Sequence, residues 1–133
     1  MKSPKRPASR RGVGPLEVRR LLLALPKVVE GRSYGLPCFL INGRFLARLR
    51  DQETVLVLQL ATIVDRDVLM QVDPRAFFFT EHYRDYPAVL IRLAEVPRPL
   101  LITVAKDAWR HLSAQPPARP RRKPATGPKR RAG

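Results

Sequence analysis

Asn42-Gly43 narrows what this chain can become more than any other pair in it. It separates two stretches of alternating apolar residues, 37–41 and 44–50. Both central residues of a type I′ turn must take positive φ, which Asn and Gly accept readily. The pair predicts a β-hairpin, and a hairpin fixes the faces of its strands by alternation. On the second strand Phe45, Ala47 and Leu49 then point one way, and Arg44, Leu46, Arg48 and Arg50 the other. Residues 51–53 read as a polar turn. Residues 54–60, rich in Val and Leu, read as a third, central strand.

Helical spacing flanks this meander. Pro15 suits a first helical position, and Val18, Leu21, Leu22 and Leu25 recur at i, i+3, i+4, i+7 until Pro26 ends the helix. Asp65 is placed to cap a short helix with Val68, Leu69 and Val72 on its buried side, closed by Asp73-Pro74. Residues 77–79 read as a short strand or extended segment. Residues 88–93 form a fourth or fifth strand, with Val89, Ile91 and Leu93 inward. From 99 to 114, Leu101, Val104, Ala105, Ala108 and Leu112 make one helical face with Trp109 beside it. The β-branched run Ile102-Thr103-Val104 also permits a strand at the start, and helix is the favoured reading. The order predicts an α+β fold, an antiparallel sheet with helices packed on one face.

The charge is uneven. Of 26 basic residues in a chain of 133 with a formal charge of +15, five lie in residues 1–14 (Lys2, Lys5, Arg6, Arg10, Arg11). Seven more lie in residues 115–133 (Arg119, Arg121, Arg122, Lys123, Lys129, Arg130, Arg131), and neither segment has an acid. Both segments are rich in Pro, Ala and Gly and poor in large apolar side chains, so they read as disordered basic tails around a domain at 15–114. Cys38 has no second cysteine to pair with. It reads as a small buried thiol in a cytoplasmic protein. No apolar run approaches the ~18 residues of a membrane span, and Leu21-Leu22-Leu23-Ala24-Leu25 is too short for a signal peptide.

An ordered set of short motifs spans the middle of the chain. It comprises Leu23-Ala24-Leu25-Pro26, Glu30-Gly31, Tyr34-Gly35-Leu36-Pro37 and Gly43-Arg44-Phe45-Leu46-Ala47-Arg48-Leu49. Phe78-Phe79-Thr80, His82-Tyr83, Tyr86-Pro87-Ala88-Val89-Leu90 and Ala108-Trp109-Arg110 follow. Together, over residues 16–114, these resemble the MmcQ/YjbR family of small bacterial proteins. The resemblance implies a fold similar to that of CyaY, the frataxin-like sandwich with helices on one side of an antiparallel sheet. It also implies a DNA-binding role.

The residues themselves point to a polyanion. Arg44, Arg48 and Arg50 on one sheet face, extended by Arg92 on a neighbouring strand and Arg84 in a loop, are placed to grip phosphates, and a solvated sheet face is the alternative. Leu46, Tyr83 and Tyr86 offer apolar or stacking contact. The cations of the tails can neutralise phosphates without a folded site. His82 and Tyr83 are the pair a catalytic reading would use, but only His111 and Cys38 supply comparable groups elsewhere. No Gly-rich phosphate loop, paired carboxylates or metal-spaced cluster accompanies them. The expectation is a non-enzymatic monomer without cofactor or metal. It associates with nucleic acid, DNA ahead of RNA, and not with membranes. A protein-interaction module is the first alternative and an enzyme using His82 and Tyr83 the second.

Overall fold

The computed structural model describes residues 12–33 and 35–116. Among them the chain forms α1 (Pro15–Leu23), β1 (Val28–Ser33), β2 (Leu36–Ile41), β3 (Arg44–Arg50), β4 (Val55–Gln59), α2 (Ile63–Val72), β5 (Phe77–Phe78), a 3₁₀ turn (Glu81–Tyr83), β6 (Ala88–Arg92) and α3 (Arg98–Ser113). The strands make one sheet in the order β1-β2-β3-β4-β6-β5, antiparallel at every pairing. This is the expected α+β arrangement. The basic tail residues Arg10, Arg11, Arg119, Arg121, Arg122, Lys123, Lys129, Arg130 and Arg131 lie outside the described residues.

α1 and α3 cover one face of the sheet. Val18 and Leu22 of α1 and Leu101, Val104, Ala105, Ala108 and Leu112 of α3 pack on Phe39, Ile41, Leu49, Leu56, Leu58, Val89 and Ile91. Both helical faces are those the apolar spacing predicts, and residues 102–104 are helical. Trp109 ties α3 to the end of the first helix by donating its indole N–H to the Pro26 carbonyl at 2.8 Å. α1 is tied in turn to β1, where Arg19 forks onto the Glu30 carboxylate at 3.1, 3.1 and 2.9 Å. That hydrogen bonding, reinforced by the carboxylate charge, raises the pKa of Arg19.

The hairpin forms as predicted, with Asn42 and Gly43 at φ 53° and 78°. Its faces differ from simple alternation. Phe39 pairs with Ala47 but the next residue, Leu40, pairs with Phe45, so Leu46 is an extra residue in a β-bulge. Because strand side chains repeat every two residues, this single insertion exchanges the faces beyond it. Leu46 joins the main core, and Phe45 turns to the Arg48 side. Arg44 leaves the arginine face: it sits opposite Ile41 and donates from Nε to the Pro116 carbonyl at 2.8 Å, beyond the end of α3.

Two further expectations are corrected. β1 was not anticipated, since Glu30-Gly31-Arg32 interrupts its apolar pattern; as an edge strand it buries Val28 and leaves Val29 exposed. α2 is capped by Thr62, whose hydroxyl accepts the Asp65 N–H at 3.1 Å, one turn before the expected cap. Its apolar stripe faces outward, with Val64, Val68 and Val72 exposed at 67%, 50% and 62%, while Arg66 is buried. Leu69, with Met70, still packs on the core as expected.

Candidate functional site

The face of the sheet away from α1 and α3 carries two cross-strand rows. One runs Cys38, Arg48, Val57, Leu90, Phe78, and the next runs Arg50, Val55, Arg92. It is not a plain solvated surface. Val55, Val57, Ala88 and Leu90 are buried under Phe45, Phe78 and Tyr83 as a second small cluster. Apolar burial here anchors residues 80–86, the stretch that carries the 3₁₀ turn.

The anchor of that stretch is Arg66, only 4% exposed. One guanidinium nitrogen, Nη1, donates to the carbonyls of Tyr83 and Arg84 at 3.0 Å each and of Tyr86 at 3.4 Å. The guanidinium carbon lies 4.0 Å from the centre of the Phe79 ring, and Nε reaches Asp67 at 3.2 Å. A buried charge is tolerated because oriented carbonyl dipoles and a ring face replace its water. The sequence contained a signal for this residue: Arg66 stands three and four positions before Leu69 and Met70, on the side of α2 that turns inward.

Between this stretch and the strands lies an open cleft of about 560 Å³, lined by Leu36, Arg48, Arg50, Asp51, Thr80, Glu81, His82 and Tyr83. Arg48 lines it, half-buried. Its Nη2 donates to the Tyr83 hydroxyl at 2.6 Å, and its Nε is shielded from solvent with no acceptor among the described residues. Neighbouring cations are partly neutralised. Arg50 meets Asp51 at 3.3 Å and Arg84 meets Glu81 at 3.3 Å. Arg92 stacks at 4.0 Å on Phe78 and donates to the Arg75 carbonyl at 3.0 Å. Arg48 and Arg92 have no carboxylate partner among the described residues, so the face keeps net positive charge. At the rim, His82 meets Tyr83 edge-on with ring centres 4.8 Å apart and lies 6.3 Å from Tyr86.

The structure thus gathers Arg48, Arg50, His82 and Tyr83 in one cleft, with Arg84 paired to a cleft-lining carboxylate and Arg92 in the Arg50 row. It separates Arg44. Sequence reasoning missed Arg66, Leu36 and Thr80, which meet the arginines only through the tertiary fold. Two arginines and two carboxylates line the cleft; Asp51 is engaged by Arg50 and Glu81 by Arg84, which leaves the Arg48 guanidinium as the group that suits an anion. Among the described residues no group of three or more His, Cys, Asp or Glu is arranged to hold a metal ion. Among them, too, no helix is long and apolar enough to cross a membrane.

No protein-family model and no curated protein matches this sequence. Among solved structures the chain is similar to Deinococcus radiodurans protein DR2400, whose crystal structure contains the domain DUF419. The two superpose with a TM-score of 0.65 over 82% of this chain and 83% of that one, at 17% identity. The likeness is one of fold.

Proposed function

We propose that this is an MmcQ/YjbR-type domain that associates with nucleic acid without catalysing a reaction. Its terminal segments act as the electrostatic grip and the Arg48 cleft as a folded contact. The family assignment is supported by the ordered motifs of residues 16–114 and by the fold shared with a DUF419 protein, DUF419 being a small α+β family related to MmcQ/YjbR. The nucleic-acid reading is carried by one observation: the Arg48 guanidinium sits half-buried in a cleft with no carboxylate partner among the described residues. A phosphate oxygen pairs with that guanidinium and matches its charge. Twelve further cations in the terminal segments extend the attraction well beyond the cleft. DNA, in a cytoplasmic setting, is the expected target ahead of RNA.

Fluorescence-anisotropy titration of labelled oligonucleotides tests this. Replacing Arg48 and Arg50 together with alanine is expected to weaken binding by about tenfold, the scale of one or two charge-assisted hydrogen bonds. Unchanged binding by the double variant removes the cleft from the interface.

A second reading is favoured by the outward stripe of Val64, Val68 and Val72. Three exposed valines on one helix face suit a protein partner better than water. On that reading the domain is an interaction module, and replacing Val68 with lysine abolishes partner binding while leaving oligonucleotide binding unchanged.

A further inference from the structure

We infer that the Arg48 cleft takes single-stranded nucleic acid in preference to duplex, with a backbone phosphate on Arg48 and an adjoining base against the rings of Tyr86 and His82. The inference rests on the nucleic-acid reading above and adds the form of the ligand. Three observations carry it.

The first is shape. Arg48 lies half-buried in a cleft between Leu36 and the 80–83 turn, so a phosphate meets its guanidinium only by entering. A flexible single strand can lower one phosphate into such a cleft. A duplex is a broad convex rod whose base edges are read by an element that enters a groove. The long helices α1 and α3 pack on the opposite face of the sheet and present nothing of that kind here.

The second is ring exposure. Tyr86 is 57% exposed, and its ring and that of His82 are inclined by only 34° at 6.3 Å. Stretches that merely anchor a loop bury their rings, as Tyr83 does against the second cluster. Exposed rings beside a cleft that holds an arginine without a carboxylate partner among the described residues are platforms for unpaired bases, whose faces a duplex hides. Arg66 holds the Tyr86 backbone through its carbonyl at 3.4 Å, which positions the residue that carries the exposed ring.

The third is the track leading away from the cleft. Arg50 and Arg92 lie in the row next to Arg48, separated from each other by two inter-strand spacings, roughly 10 Å. Arg92 is exposed and lies over Phe78 at 4.0 Å, which gives a second contact along the same path. Phosphate, ring and guanidinium contacts are sequence-tolerant, so little base preference accompanies the choice of strand form.

The test uses the full chain with oligonucleotides of equal length, single-stranded and duplex, at about 0.3 M salt, where the contribution of the terminal cations is much reduced. Single strand is expected to bind at least about tenfold tighter than duplex. Tyr86→Ala is expected to lower single-strand affinity by about tenfold and leave duplex affinity unchanged, and Tyr86→Phe to restore it, since the ring face is what stacks. The Tyr86 side chain is exposed, and a circular-dichroism melt matching that of the parent establishes that the variant is folded. Duplex binding as tight as single-strand binding, or equal losses on both ligands in Tyr86→Ala, overturns the inference while leaving the nucleic-acid reading standing. Binding of neither ligand at any salt concentration overturns both.

Discussion

Arg66→Ala is expected to destabilise the protein by about 3 kcal/mol and to loosen residues 80–86, although Arg66 holds the candidate contact residues only by their backbone carbonyls. Hydrogen bonds to a charged donor are worth roughly 1.5–3 kcal/mol each, and a desolvated guanidinium over a ring adds about 2. Those terms are not additive, and water entering the space recovers part of them. The Tyr83, Arg84 and Tyr86 carbonyls all lose their shared donor, and Phe79 loses its cover. Urea unfolding reads the loss as a lower midpoint at unchanged slope. Hydrogen exchange locates it: the amides of Tyr83, Arg84 and Tyr86, now bonded within the turn, exchange faster, whereas those of β3 and β4 change only with global stability. Arg66→Lys keeps the charge but not the planar stack, and is expected to recover part of the midpoint. An alanine variant as stable as the parent contradicts the role given to Arg66.

Removing residues 1–11 and 117–133 together is expected to lower oligonucleotide affinity at about 0.1 M salt by two to three orders of magnitude. The two segments carry twelve cations and no acid. Each phosphate they neutralise releases counterions, so the slope of log affinity against log salt becomes shallower in the trimmed chain. The trimmed protein keeps every described element from Pro15 to Ser113, as well as the Pro116 carbonyl that Arg44 uses, and its melting temperature is expected to stay the same. Equal affinity for trimmed and full chains places the whole interface on the folded domain.

The parts of this fold set by local chemistry were legible in the sequence. Asn42 and Gly43 take the positive φ their turn requires, and the faces of α1 and α3 follow their apolar spacing. The parts set by a single inserted residue or by distant backbone were not. Alternation assigns Arg44 and Arg48 to one face because nothing in the residue types announces the bulge at Leu46, and one extra residue reverses every assignment beyond it. In α2 the residue spacing assigns Val68, Leu69 and Val72 to the buried side, and only Leu69 of these packs on the core. The helix instead turns Arg66 inward, because the carbonyls that satisfy it lie 17 to 20 residues further along the chain. The candidate site divides in the same way. Arg48, Arg50 and Arg92 could be placed on a common face from strand period, whereas the cleft around Arg48 exists only because residues 80–86 fold across the strands.

The central claim is that this protein holds nucleic acid chiefly through phosphate contacts, and the salt dependence of binding by the full chain tests it most directly. Anisotropy titrations at a series of salt concentrations are expected to give log affinity falling linearly with log salt. If about six or more phosphates are neutralised, the slope is about −4 or steeper, since each contributes roughly −0.7 on a single strand. A flat dependence, or no binding even at about 0.05 M salt, contradicts the account.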